Sequence, residues 1–469
     1  MTARLNPAEW IWLAGFTALA AFVGLLAGLD PKLAIAASIG CGFVLLAFGD
    51  LALAVALFTM FSFLEVLPNQ GAVLSEGKIG GLLLALAWLA RIGTQQDTKS
   101  DFFAEHAGAS ALIGAFLGWV LLSSVWSLDP GVAFGSFGRY FLNALLFMIV
   151  FTAVRTRQQA IYVFAAFVIG AVAAAMYGFL IGTGSADPTA AGRLGGGSNN
   201  PDGLAAFLVV GLALAGGLMA NLRRSPALRL ATGAAAALCL FGIFFTVSRA
   251  GLVALGVMLI AALVLAGPWR PRIAIAALVI STVTVYYFAA LAPPQARERI
   301  TQATSGEATA QEGRTTLWAV GERMAKANFV KGVGAGNFPN ASPHYLLQPG
   351  ALQRSDQVID TPLVAHNIYL EELAEGGIVG FVLFGSILLF SLRCAVRAGK
   401  VFAQHGDRGG EMLARSLAIG LVGLMAAAFF NSMEYNKELW LLLGLCPALL
   451  AISKSEEKPS TAVTPSARG

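Results

Sequence analysis

Arginine, histidine and amide side chains gather in four short polar clusters of an otherwise apolar chain. The clusters are Gly192-Arg193 through Asn199-Asn200-Pro201-Asp202, Thr246-Val247-Ser248-Arg249-Ala250-Gly251, Gly313-Arg314-Thr315-Thr316-Leu317-Trp318, and the segment opening at His366-Asn367. Imidazole has an unperturbed pKa near neutrality, so His366 is suited to take a proton from an attacking hydroxyl. Guanidinium groups match phosphate oxygens in charge and geometry, so Arg193, Arg249 and Arg314 are suited to neutralise a leaving diphosphate. No P-loop, D-x-D pair or H-E-x-x-H motif occurs, and Asp356 and Asp360 lack the spacing of a metal loop. The expected chemistry therefore uses neither a bound metal nor a cofactor, and no nucleoside triphosphate.

Each cluster also has a plainer reading. Asn200 before Pro201 is a helix N-cap with proline in the first helical position, and the amide-rich helix start beside Arg193 can hold an anion or simply close a turn. Arg249 sits in a tight turn between two apolar runs, where snorkelling to headgroups is the alternative to ligand binding. Arg314 opens a helix, where a cation opposes the dipole and a bound anion would account for it. A lone histidine is most often structural, but His366 lies on the same expected membrane face as the three arginines. Asn367 reads as the cap of a helix whose first turns carry Glu371 and Glu372. Arg323 and Lys326 read as a solvated face, and His344 as loop packing.

The elements that position these residues are membrane helices. The chain has 469 residues, 57% of them apolar and 12% charged, with a mean hydropathy of +0.72. Apolar runs near the length of a span recur almost throughout, which predicts an all-α polytopic membrane bundle of 12–14 helices. Spans are expected at about 10–28, 32–48, 50–66, 79–92, 109–126, 137–154, 160–181, 202–220, 230–247, 251–266, 273–291, 375–392, 412–430 and 438–452. The organisation is then a bundle over 1–291, a loop region over 292–374, further spans over 375–452, and a polar tail over 453–469. The first apolar run reads as a span and not as a cleaved signal.

Arg155, Arg157, Arg223, Arg224, Arg229, Arg270, Arg272, Arg393, Arg397, Lys400 and Arg408 fall in alternate short loops. By the positive-inside rule those loops, and both termini, are cytoplasmic, and the 292–374 loop lies outside. That loop is expected to hold an amphipathic helix, with Leu317, Val320, Met324 and Ala327 on one face, ended by the glycines of 332–336. The scattered cations lack an aromatic platform, so no nucleic-acid partner is expected. Cys41, Cys239, Cys394 and Cys446 lie outside the long loop, which predicts neither a disulfide there nor a cysteine metal site.

In their order along the chain the clusters resemble the O-antigen ligase and O-antigen polymerase superfamily of bacterial inner-membrane glycosyltransferases. The matching elements are G-R…N-N-P at 192–201, S-R-A-G at 248–251, G-R-x-x-x-W at 313–318, G-V-G-x-G-N-F at 332–338, and H-N-x-x-L-E-x-L-x-E-x-G-x-x-G at 366–380. The resemblance implies a GT-C-like bundle with its active site facing the periplasm. It implies metal-free, inverting transfer of a glycan from undecaprenyl diphosphate to an acceptor hydroxyl. His366 would be the catalytic base, Arg249, Arg193 and Arg314 the diphosphate clamp, and Asn367, Glu375 and Asn200 supporting residues. Asp202 stands where the family pattern has a second asparagine.

The acceptor expected first is the lipid A–core oligosaccharide, as for O-antigen ligase, with membrane lipids as the surroundings. An O-antigen polymerase shares the donor and differs in acceptor. A protein O-oligosaccharyltransferase would be expected to carry a longer C-terminal extension, and a non-enzymatic transporter of lipid-linked glycan would bury charge at mid-span.

Overall fold

The computed structural model describes residues 31–63, 76–94, 102–181, 192–196, 200–222, 225–301, 309–347 and 364–455, with a few isolated positions before residue 31. The span expected at 10–28 thus lies largely outside the described residues, as does the tail beyond Ser455. No strand occurs among the described residues. The helices are α1 (Pro31–Gly49), α2 (Leu51–Ser62), α3 (Glu76–Thr94), α4 (Phe102–Glu105), α5 (Ala107–Ser123), α6 (Pro130–Ala153), α7 (Arg157–Ile181), α8 (Pro201–Asn221) and α9 (Pro226–Thr246). They continue as α10 (Arg249–Leu265), α11 (Arg270–Tyr286), a π-helical turn Tyr287–Leu291, α12 (Pro294–Thr301), α13 (Thr309–Ala327), α14 (Phe338–Leu346), α15 (Ile368–Gln404), α16 (Arg408–Ala428) and α17 (Lys437–Ser455).

Among the described residues eight helices are long and apolar enough to cross a membrane, and five shorter apolar helices accompany them. The protein is an all-α polytopic membrane bundle. Helix starts follow the local sequence: Asp129, Asn200 and Ser225 each cap a helix with proline in its first turn. Such caps satisfy amides that the first helical turn leaves without partners, and each contributes about 1 kcal/mol.

α8 is the axis of the bundle, packed against α7, α9, α10 and α16. α17 lies between α6 and α15 and is buried over most of its length, whereas α11 buries only Ala277. Close approach at α6 requires Gly444, because a Cβ there would lie 2.6 Å from the Phe147 carbonyl oxygen. In a membrane such small-residue contacts let helix backbones approach and gain dispersion energy.

The described residues between 292 and 367 fold over one end of the bundle. Leu317, Val320 and Met324 of α13 pack with Phe338, Tyr345 and Leu346 of α14 and Ala374 of α15 in a second small core. This bears out the amphipathic helix, with two corrections. Ala327 is exposed at the helix end, and Arg323, expected on the solvated face, donates to the Tyr345 carbonyl at 3.0 Å and ties α13 to α14. Lys326 is exposed as expected, paired with Glu322 at 2.6 Å. His344 belongs to α14 and is exposed, not packed in a loop.

α15 begins seven residues before the span expected at 375, because Asn367 caps it by accepting from Tyr369 N at 3.0 Å and Leu370 N at 3.2 Å. The helix breaks at Gly377 (φ 64°, ψ −169°). There the 329–334 segment lies alongside it, with Val333 N bonded to Ala374 O and Gly334 N to Glu375 O, both at 2.9 Å, and Ile378 N to Phe329 O at 2.7 Å. Only glycine fits position 377, since a Cβ would strike the Val330 carbonyl.

Candidate functional site

The polar clusters meet at that covered end. Arg193 is buried and donates through Nε to the Thr246 carbonyl at 2.9 Å. Leu194 N bonds to Phe245 O at 3.0 Å, so the 192–196 turn is fixed against the end of α9. α9 stops there because Val247 adopts a left-handed conformation (φ 46°), and Ser248 then caps α10 by accepting from Gly251 N at 3.0 Å. That turn places Arg249, half-buried, as the first residue of α10.

Asp202 joins these pieces. Its Oδ1 accepts from Arg193 Nη2 at 2.8 Å and from Ser248 Oγ at 2.7 Å. Its Oδ2 pairs with Arg314 Nη2 in the second turn of α13, a helix that begins at Thr309 and not, as expected, at Arg314. One carboxylate therefore binds two of the three expected clamp arginines, and Arg249 lies within electrostatic reach of Arg193, Asp202 and Arg314. In a half-desolvated setting such pairs are strong only when hydrogen bonds satisfy the remaining lone pairs, as the Ser248 hydroxyl does here.

The arginine cluster is coupled to the histidine through α13. One turn after Arg314, the Trp318 indole N–H donates to the Ala365 carbonyl at 3.0 Å. Trp318 also packs edge-on against Phe429 at 5.6 Å between ring centroids. His366 follows Ala365 in a left-handed conformation (φ 50°), half-buried, immediately before the Asn367 cap. A left-handed non-glycine residue costs roughly 1 kcal/mol, so the surrounding structure holds the imidazole where it is. The structure thus gathers Arg193, Arg249 and Arg314 around Asp202 and bonds the carrier helix of Arg314 to the residue before His366.

Of the supporting residues, Asn200 and Asn367 are the helix caps expected of them. Asn200 caps α8 by accepting from Gly203 N at 2.9 Å, beside Asp202. Glu375 reaches away from the arginines and accepts from Gly336 N at 2.6 Å and Phe338 N at 2.9 Å, fixing the glycine segment at the start of α14. Glu371 and Glu372 are buried and not dipole partners in solvent: they accept from the Ser432 and Tyr140 hydroxyls of neighbouring elements. Asn337, in the same glycine segment, accepts from Asp129 N at 2.9 Å and ties that segment to α6.

An open apolar groove of about 440 Å³ lies between α10, α15 and the C-terminal end of α16. Val253 and Val257, one and two turns past Arg249, form one wall, and Tyr369, Met425, Phe429 and Phe430 form the other. The basic loops lie at the opposite end, where Arg157 bonds to Asp407 at 2.8 Å and to Asn221 at 3.1 Å.

Asp202 is the residue to which sequence reasoning gave no role. Its signal was an acid one position after a helix-opening proline, which also fits an ordinary dipole partner.

Residues 234–385 match the family model of O-antigen ligase, which bears out the resemblance over a segment holding Arg249, Arg314, Trp318, His366 and Glu375. The chain is a multi-pass membrane protein, and about a third of it is similar to the O-antigen ligase family. Arg193, Asn200 and Asp202 precede the matched segment and are joined to it by the Asp202 contacts. No curated protein matches the chain.

Proposed function

We propose that the protein is an O-antigen ligase of lipopolysaccharide biosynthesis. It would move a glycan from undecaprenyl diphosphate to a hydroxyl of the lipid A–core oligosaccharide, at the periplasmic face of the bacterial inner membrane. One observation carries the reading: the arginines held around Asp202 are coupled through Trp318 and the Ala365 carbonyl to the loop that presents His366.

The His366 imidazole takes the proton of the acceptor hydroxyl. The hydroxyl oxygen forms the new bond to the anomeric carbon, while the bond from that carbon to the diphosphate oxygen breaks and its electron pair leaves with the diphosphate. Guanidinium groups stabilise the charge that develops there, a role a metal fills in other transferases, so the reaction needs no metal. Attack opposite the leaving group inverts the anomeric centre. Asn367 holds the base by capping α15, and Asn200 holds α8 beside Asp202.

The open apolar groove suits the polyprenyl tail of the donor, because its wall begins at Val253, one turn past Arg249 on α10. A donor outside the cytoplasm must be lipid-linked, since nucleotide sugars are absent there. The periplasmic placement rests on the basic loops at the opposite end of the bundle, which the positive-inside rule assigns to the cytoplasm.

The test is reconstitution of the purified protein with lipid-linked O-antigen and lipid A–core, read as a shift of the core band on a gel, beside the glycolipids of a null strain. Glycosylated core in vitro, and bare core with accumulated lipid-linked polymer in the null strain, are expected. Core bearing a single repeat unit in the null strain would assign a polymerase instead. Movement of lipid-linked glycan across vesicles without a new glycosidic bond would assign a transporter.

A further inference from the structure

Arg299 lies on α12, outside every sequence cluster, and is half-buried. The route to it starts at the arginine cluster. The π-helical turn Tyr287–Leu291 is anchored where Tyr287 stacks on Phe244 at 4.8 Å and meets Phe245 at 6.0 Å. Those two phenylalanines immediately precede Thr246, whose carbonyl holds Arg193. Ala292 N then closes onto Tyr287 O at 2.8 Å, and Arg297 Nε onto Ala292 O at 2.8 Å, which turns α12 back over the same corner.

Arg193, Asp202, Arg249 and Arg314 all lie within electrostatic reach of Arg299. Burial, and the guanidiniums of Arg193, Arg249 and Arg314, lower its pKa, while Asp202 raises it. Asp202 is already committed to Arg193, Arg314 and the Ser248 hydroxyl. Among the described residues Arg299 makes neither a hydrogen bond nor an ion pair. Four guanidiniums around one carboxylate leave the corner with an excess of about three positive charges, which repel one another where water is partly excluded. A cation placed there without a protein partner matches a multiply charged anion.

We propose that Arg299 is a fourth cation of the donor site and contacts the diphosphate together with Arg249, while Asp202 holds Arg193 and Arg314 in place. This rests on the proposed glycan transfer from a lipid diphosphate. It gives α12 a substrate-binding role.

The test uses the full-length protein in detergent micelles, with farnesyl diphosphate as a short donor mimic and farnesyl monophosphate for comparison. Arg299→Gln should weaken farnesyl diphosphate binding about tenfold, the scale of one charge-assisted contact. Lys326→Gln, which removes an exposed cation of the covering region paired only with Glu322, should leave binding within about twofold. In the transfer assay Arg299→Gln should raise the donor KM with the acceptor KM unchanged, a split that a merely structural residue would not give. Wild-type diphosphate affinity in Arg299→Gln, with loss in Arg249→Gln, would remove Arg299 while leaving the donor site standing. Equal weakening of monophosphate and diphosphate, together with reduced binding to phosphatidylglycerol vesicles, would make Arg299 a headgroup anchor and overturn the proposal. Absence of diphosphate binding by the wild type would remove the donor-site reading and Arg299 with it.

Discussion

The indole N–H of Trp318 donates to the carbonyl of Ala365 at 3.0 Å, across 47 residues of chain. This bond joins the helix that carries Arg314 to the residue before His366, so the proposed diphosphate-binding cation and the proposed base are tied together through one contact. Trp318→Phe keeps the ring packing on Phe429 and removes the donor. Transfer should fall about tenfold, the worth of a buried hydrogen bond that positions a reacting group. Donor affinity should stay near wild type in a direct binding measurement. Unchanged turnover would uncouple the two halves of the site.

Asp202 is the hub of the arginine cluster, and Asp202→Asn removes the charge while keeping the shape. Breaking a buried ion pair by altering one partner costs about 3 kcal/mol or more. Solvent screening reduces the share of Arg314, whose side chain is 32% exposed. The variant should show a Tm several degrees lower and little transfer. A Tm equal to wild type would mean that the arginines hold their places without the carboxylate.

The contrast between Asp202 and Asn200 explains what the sequence could convey. Asn200 acts on an amide three residues away, so the N-P dipeptide revealed its cap; α6 and α9 open on D-P and S-P dipeptides with the same local geometry. The partners of Asp202 lie 9, 46 and 112 residues away, and no local pattern encodes such contacts. The spans were legible because hydropathy is also a local property. The Gly377 break was not, because it depends on the 329–334 segment lying alongside α15. The same limit applies to Glu375, whose two amide partners sit nearly 40 residues earlier.

His366 offers a way to separate strain from chemistry. Its φ of 50° favours glycine, so His366→Gly should fold at least as stably as wild type. Without the imidazole, glycan transfer should fall by at least about a hundredfold, the usual worth of a positioned base. A stable, inactive His366→Gly protein that still binds farnesyl diphosphate would support the role as base. Full transfer by the same protein would end it.

Arg249 is the first residue of α10 and borders the apolar groove through Val253. Arg249→Lys keeps the charge but loses the planar fork that meets two phosphate oxygens at once. Transfer should drop at least about tenfold, with a Tm near that of wild type. Wild-type rates would reduce Arg249 to a membrane anchor.

Glu434 supplies a pH test away from the arginines. It lies between α16 and α17, near Arg139 and the buried Glu371, Glu372 and Glu375, and its Oε2 is buried with no hydrogen-bond partner. Burial pushes its carboxyl up to about 7, against the opposing effects of backbone amides and Arg139. At pH below the ordinary carboxylate value near 4.5 it is protonated in both folded and unfolded chains. As pH rises from there the unfolded chain releases its proton first, so stability falls until the folded carboxyl also ionises near 7, and is then level. Glu434→Gln should therefore match wild type at pH 4 and exceed it at pH 8, by up to about 3 kcal/mol. Thermal unfolding in detergent across that range measures the difference. An equal offset at both ends would mean that the folded carboxyl titrates where the unfolded one does, and that burial does not raise it.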